Sequence, residues 1–230
     1  MPSIALIMNT KNEVENVRAV FNCFSTVVDE IILVDCESTD GTHELARKLG
    51  ARVYNIGSCP GYGPMRTISV HLARTDWAII IDGDERMDEA DVTKIPDLIK
   101  LDVDLITLPR QHYQSWDRSI CENPDLSIYA DWQPRMVRVK PSIYWIRKVH
   151  EMIQGIENGR EYRSLSNPVI RHFGFLKTPE RLQAIVDLCN RLHEEDKQFH
   201  ETYELENMIG CAAGPKYWAT APDYHKNKHG

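Results

Sequence analysis

Trp77-Ala78-Ile79-Ile80-Ile81-Asp82-Gly83-Asp84-Glu85 is the stretch on which the fold turns. An unbroken apolar run bounded by charges describes a short strand covered on both faces. It ends in acids at alternate positions with a glycine between them. Asp82 and Asp84 can then approach one ligand, while Gly83 leaves room at the backbone. Hard carboxylate oxygens in this spacing suit Mg²⁺ or Mn²⁺, which bridge to phosphate oxygens. The plain alternative is that the two aspartates cap the next helix, but a cap needs one short polar side chain and the sequence supplies three acids.

Upstream of this stretch, strand and helix alternate. Ile4 to Met8 is a continuous apolar run, and Val14, Val17, Val20, Phe21 and Phe24 follow at helical spacing. Ile31 to Val34 is a second buried strand ended by Asp35. Ser38-Thr39-Asp40-Gly41-Thr42 is turn and cap chemistry for a helix through Leu49, and Gly50 stops it. Ala51 to Ile56 is a third strand, a Gly- and Pro-rich loop follows, and a helix is predicted over Met65 to Ala73. The alternation predicts an α/β fold with a mostly parallel sheet flanked by helices. Ligands bind beyond the carboxyl ends of such strands, which puts Asn9, Thr10, Asp35 and Asp82-Gly83-Asp84 on one rim. Neither a Gly-x-Gly-x-x-Gly nor a P-loop pattern is present.

Downstream the pattern loosens. Leu105 to Leu108, Met136 to Val139, Ile143 to Ile146 and Val169 to Phe175 read as strands with irregular connections. From Pro179 an amphipathic helix is predicted to about Asn207, followed by a tail without periodicity. The expected organisation is therefore 1–104, 105–178 and a C-terminal helical extension over 179–230.

Composition narrows the class. The 230 residues include 27 Lys or Arg against 34 Asp or Glu, a net charge of −7, and 42% are apolar, which is normal for a folded globular chain. No apolar run approaches the roughly 20 residues of a membrane helix. The six cysteines never form Cys-x-x-Cys, and the opening strand leaves no room for a signal peptide, so reduced thiols and a cytoplasmic location are expected. Residues 132–181 hold 10 basic and 4 acidic side chains, a local excess of +6 in an acidic protein. That suggests an anion site, with Arg135, Arg138, Arg147 and Lys148 as candidates to meet a polyanionic acceptor or a diphosphate.

These residues resemble the family 2 glycosyltransferases, the inverting group with the GT-A fold. The likeness is greatest to its short bacterial and phage subgroup, related to lipopolysaccharide-core glucosyltransferases. Four blocks carry the resemblance in order. Lys11-Asn12-Glu13 follows the first strand, and Val28 to Asp35 leads into Ser38-Thr39-Asp40-Gly41-Thr42. Thr75-Asp76-Trp77 precedes Asp82-Gly83-Asp84-Glu85. Pro134-Arg135-Met136-Val137-Arg138 runs on to Val149-His150-Glu151, and His172-Phe173-Gly174-Phe175 closes the set. Cys36 stands where the family often has a second Asp.

The resemblance implies a nucleotide-sugar-binding half (1–104), an acceptor-binding half (105–178) and a metal-assisted transferase moving a hexosyl or pentosyl group. Thr10, Glu13 and Asp35 would line the nucleoside pocket, Arg66 would reach the nucleotide or its diphosphate, and Asp82 would lie near ribose and metal. Asp84 would bind Mn²⁺ or Mg²⁺ directly, with His150 and His172 each a candidate for a further metal or phosphate contact. Glu151 would be the catalytic base, with Asp131 and Glu122 in reserve, and Trp132 or Tyr144 could stack on an acceptor. A UDP-linked donor is the first expectation. The acceptor would be a glycan, a small molecule or a nucleic acid carrying a hydroxylated base, as in phage DNA. Two other readings use the same residues. One is a haloacid-dehalogenase-type phosphatase with Asp82 as nucleophile and Asp84 as acid; the other is a nucleotidyltransferase or a silent nucleotide-sugar-binding module.

Overall fold

The computed structural model describes residues 1–113 and 131–196, which fall into two compact units: 1–111 with 131–172, and 112–113 with 173–196. In the first unit β1 (Ile4–Thr10), α1 (Val14–Phe24), β2 (Glu30–Asp35), α2 (Thr42–Lys48), β3 (Arg52–Asn55), α3 (Tyr62–His71) and β4 (Trp77–Ile80) alternate as the apolar pattern predicts. Short elements follow: β5 (Glu85–Arg86), α4 (Glu89–Val92) and α5 (Ile95–Leu98). Then come β6 (Leu105–His112), β7 (Asp131–Arg138), β8 (Tyr144–Ile146), β9 (Met152–Gln154), β10 (Glu161–Arg163) and β11 (Ile170–His172).

The main sheet runs β3-β2-β1-β4-β7-β6-β11-β5, with β10 added beside β6. It is mixed. The strands from β3 to β4 are parallel, whereas β7 is antiparallel to both β4 and β6. Strands β8 and β9 form a separate antiparallel hairpin. The predicted strands at Ile143 and Val169 are thus present but shorter, and the first of them lies outside the main sheet. A 3₁₀ turn at Gly174–Leu176 ends the second.

The period of two along each strand sorts side chains between two apolar layers. Ile4, Leu6 and Met8 of β1 and Trp77 and Ile79 of β4 pack with Val17, Val20, Phe21 and Phe24 of α1. Ala5, Ile7, Ala78 and Ile80 pack on the other face with Met65 and Val70 of α3 and Trp145 of β8. By the same parity Asp82 points to the α3 face. Pro64 lies in the first turn of α3, where its missing N–H has no partner to lose. Helix α3 approaches the 146–148 backbone so closely that a Cβ on Gly63 would sit 2.2 Å from the Arg147 carbonyl oxygen. Tyr62 N–H donates to the Lys148 carbonyl at 2.7 Å. This dock carries Arg66 to the ends of β1 and β4.

In the second unit, α6 (Pro179–Glu195) begins as its sequence dictates: Thr178 accepts from the Arg181 N–H and Pro179 occupies the first turn. It ends at Glu195; its predicted continuation toward Asn207, the tail and Glu122 lie outside the described residues. Among the described residues no helix is long and apolar enough to cross a membrane.

Candidate active site

The turn after β4 does not cap a helix. Helix α4 starts four residues beyond Glu85, with Asp88 at its N-cap. Instead the Asp82-Gly83-Asp84-Glu85 turn is held by an arginine on either side. Arg86 donates to the carbonyls of Gly83 and Glu85, both at 2.7 Å, and to Asn16 Oδ1 at 2.7 Å. Asn16 in turn donates to Glu13 Oε2, and Glu13 lies against Gly83: a Cβ there would fall 2.8 Å from the Glu13 carboxyl. The space at Gly83 is therefore filled by Glu13, which ties α1 to the turn.

On the other side of the turn, Arg66 spans two carboxylates. Its Nε donates to Glu151 Oε1 at 2.6 Å, while its terminal nitrogens lie 3.4 and 3.2 Å from the two oxygens of Asp82. Arg135 Nη2 bridges Asp82 Oδ2 at 2.7 Å and Glu85 Oε1 at 2.6 Å. Arg110 extends the chain to Glu85 Oε1 at 3.2 Å and, through Nε, to Asp131 Oδ2 at 2.7 Å. Burial alone would raise the Asp82 carboxyl, but the Arg135 and Arg66 guanidiniums outweigh it and hold Asp82 well below the usual carboxylate range. Glu151 is likewise pushed up by burial and brought below its ordinary value by Arg66. Both are ionised at neutral pH.

Asp84 and His172 come together because β11 pairs antiparallel with β5, setting His172 opposite Glu85; His172 Nε2 lies 3.7 Å from Asp84 Oδ1. Among the described residues no three His, Cys, Asp or Glu side chains are grouped to hold a metal ion. His150 and Arg147 both adopt left-handed backbone, with φ of 50° and 69°, in the segment that delivers Glu151 to Arg66. Such conformations persist where the surroundings over-determine them, and α3 supplies that here.

Asp35 is fully buried at the end of β2. It accepts from Ser38 N–H at 2.8 Å and from the Ser38 hydroxyl, and His43 Nε2 lies 2.6 Å from its Oδ2. Thr10 is buried beside it in the β1–β2 register. Several expectations are corrected. Arg135 is only 1% exposed and Arg138 is bound to carbonyls, so neither is open to a polyanionic acceptor. Trp132 donates to the Ser164 carbonyl and carries the Arg163 guanidinium over one face of its ring at 5.0 Å. Sequence reading counted Glu85 among the three acids of the turn but gave it no role, and it missed Arg110 and Asn16; the β6–β7 pairing that brings Arg110 to Asp131 has no local signal.

The carboxyl rim of the α/β sheet thus gathers acids, arginines and a histidine. The chain belongs to the family described as glycosyl transferase family 2, which matches residues 5–155. An uncharacterized glycosyltransferase of Rickettsia felis is 37% identical over 87 residues, 38% of this chain and 30% of that protein. The glycosyltransferase AglJ of Haloferax volcanii is 30% identical over 100 residues, 41% of this chain and 32% of that one. The chain thus spans about a third or less of the length of these curated relatives. Residues 1–349 of Staphylococcus aureus TarS superpose with a TM-score of 0.56 at 14% identity, over 92% of this chain and 70% of that one. That likeness is one of fold, and the fold is GT-A.

Proposed function

We propose that the protein is a divalent-metal-assisted, inverting glycosyltransferase that moves a hexosyl or pentosyl group from a nucleotide sugar to an acceptor hydroxyl. The observation that carries this reading is that Arg66 joins the Asp82 turn to Glu151, a position that suits a cation meeting phosphate between a metal and a base. Asp84 and His172 offer two donors, which suits a cation whose remaining positions are filled by diphosphate oxygens and water rather than by protein. Such a cation would neutralise the diphosphate as it departs.

The other steps belong to the chain's own side chains. Thr10, Glu13 and Asp35 shape the nucleoside end. Arg66 turns its terminal nitrogens to the diphosphate, and Glu151 removes the acceptor hydroxyl's proton as the new bond to the anomeric carbon forms. The old anomeric carbon–oxygen bond breaks with its electron pair passing to the nucleoside diphosphate. UDP-sugars are the first donors to test; TarS, which shares the fold, has been crystallised with UDP-GlcNAc. The acceptor is a glycan or a small molecule, with a hydroxylated base in phage DNA as the nucleic-acid case, and the setting is the cytoplasm. The test is a panel of nucleotide sugars with Mn²⁺ or Mg²⁺, scored for release of free nucleoside diphosphate. Release that stops in chelator and resumes with metal is expected. Release of pyrophosphate, or full turnover in chelator, would overturn the reading.

A further inference from the structure

Asp82 stands between two arginines that hold it unequally. Arg135 reaches Oδ2 at 2.7 Å, whereas the Arg66 contacts are 3.2 and 3.4 Å. The shortest bond Arg66 makes here is the one to Glu151, through Nε. Exposure follows the same division: the Asp82 side chain is 29% exposed, while Arg135 beside it is 2% and Glu85 0%. Glu85 is itself fixed, by the Asp82 N–H at 3.1 Å and by Arg110 at 3.2 Å, so the Arg135 nitrogen between the two acids has one place to be.

We propose that Arg135 is a positioning residue, the permanent counter-charge of Asp82, and that Glu85 holds it there, which frees Arg66 to exchange Asp82 for the donor's diphosphate. The inference rests on the glycosyltransferase reading and deepens it. The argument is one of charge. An arginine that is the only partner of a half-buried carboxylate cannot leave it without stranding a charge, which is strongly unfavourable. With Arg135 in place, the departure of Arg66 leaves Asp82 and Glu85 still served by Arg135 and Arg110. Arg66 can then meet the phosphates while its Nε stays on Glu151, so donor binding does not disturb the base. Glu85 thus has two effects that a substitution can separate: its Oε1 holds Arg135 in place, and its negative charge offsets part of the Arg135 charge. Removing Arg135 and neutralising Glu85 should therefore act in opposite directions on phosphate binding.

The test compares a nucleoside diphosphate with its nucleoside, using whichever of UDP, CDP, dTDP, GDP and ADP the wild type binds best, measured by calorimetry. Arg135→Gln should weaken the diphosphate about tenfold, one unit of 1.4 kcal/mol, and leave the nucleoside within about twofold. Arg135→Lys should recover most of the loss. Glu85→Gln, which keeps the shape and an acceptor oxygen for Arg135 and Arg110 but gives up the acceptor of the Asp82 N–H, should tighten the diphosphate severalfold without affecting the nucleoside. If Arg135→Gln does not fold, the sign of the Glu85→Gln effect and the affinity of Arg135→Lys decide alone. Equal weakening of nucleoside and diphosphate, or weaker diphosphate binding in Glu85→Gln, would mean a merely structural network and overturn the proposal while leaving the glycosyltransferase reading intact. A wild type that binds none of the five diphosphates overturns both.

Discussion

Strand β7 carries two arginines three residues apart in opposite kinds of surroundings. Arg138 lies opposite Trp77 at the start of β4. It donates to the carbonyls of Val103 at 2.7 Å and Leu101 at 3.1 Å, stacks on the Trp77 ring at 4.8 Å, and reaches Asp104 at 3.4 Å. Asp104 is in turn held by Lys140 at 2.7 Å and Arg160 at 2.9 Å, with its own side chain 2% exposed. Arg160 carries that cluster on to Asp102 at 2.9 Å, a carboxylate exposed at the surface. Arg135, toward the carboxyl end of β4, belongs to a chain of pairs that runs through the part-exposed Asp82, two residues from Asp84, to Arg66 and Glu151. Both clusters join guanidiniums to carboxylates, with Lys140 added in the first. What separates them is the neighbourhood of the acid each brings towards solvent: Asp102 is paired with Arg160 at a loop, whereas Asp82 is shared by Arg135 and Arg66 and stands two residues from Asp84.

The comparison breaks first at Asp84. Asp84→Ala should reduce transfer to background and abolish metal-dependent nucleotide binding, while the thermal midpoint stays near that of the wild type. Titration with nucleotide in Mn²⁺ and in chelator measures it, and metal-dependent binding that survives would remove the active-site end from the contrast. Next comes Glu151→Gln, expected to lose about two to four orders of magnitude in single-turnover transfer with donor affinity retained. A loss confined to binding would make Glu151 an orienting partner of Arg66 and pass the base to Asp131. The same carboxylate fixes a pH prediction. Its folded pKa lies below the 4.5 of an ordinary glutamate, so the stability it contributes is present above that pH and is lost as pH falls through the depressed value. Between pH 6 and 8 Glu151 should add no titration to the rate profile, and a limb in that range that vanishes in Glu151→Gln would contradict the Arg66 pairing.

Legibility in the sequence followed the range of the interactions. The parallel half was readable because its signals are local: apolar runs, the Ser38–Thr42 turn and the spacing of Val17, Val20, Phe21 and Phe24 all act within a few residues. Alternation along Trp77–Ile81 also assigns Asp82 to one face, since residues of like parity share a side. Nothing local says that β7 lies antiparallel beside β4, where Met136 pairs with Ile79, and that pairing is what brings the next residue, Arg135, to Asp82. The same holds for His172 and Glu85. Charge counting treated Arg135 and Arg138 as one basic segment because it ignores burial.

A smaller effect is expected at Gly83. Its α-carbon faces the Glu13 side chain, and a methyl there would sit 2.8 Å from Glu13 Cγ, Cδ and Oε2. A side chain can give way, so Gly83→Ala should fold, displace Glu13 and weaken donor binding on the order of tenfold. Gly63→Ala is the control from outside the charged chain. It meets the Arg147 carbonyl at 2.2 Å, a backbone atom that cannot move aside, and should cost stability before affinity. Reversed outcomes would place the structural weakness in the turn rather than in the α3 dock.

The smallest effect on transfer belongs to Arg138, and it sharpens the comparison by being absent. Arg138→Met keeps the stem over the Trp77 ring and removes the donors to Val103, Leu101 and Asp104. Hydrogen bonds from a charged donor contribute about 1.5–3 kcal/mol, and the side chain is largely buried, so thermal and urea melts should show a loss in that range. Transfer measured well below the new midpoint should equal that of the wild type, because no partner of Arg138 touches the Asp82 turn. Salt should separate the two ends in the same way. The excess of base in residues 132–181 is consumed in part by Asp104 and by the carbonyls, and Arg135 is already shared between Asp82 and Glu85. Acceptor affinity should therefore change little between 50 and 200 mM salt, roughly, where a polyanion held by several free arginines would lose orders of magnitude. A steep salt dependence that Arg138→Met reduces would show that Arg138 meets the acceptor. It would also return the polyanionic acceptor to consideration.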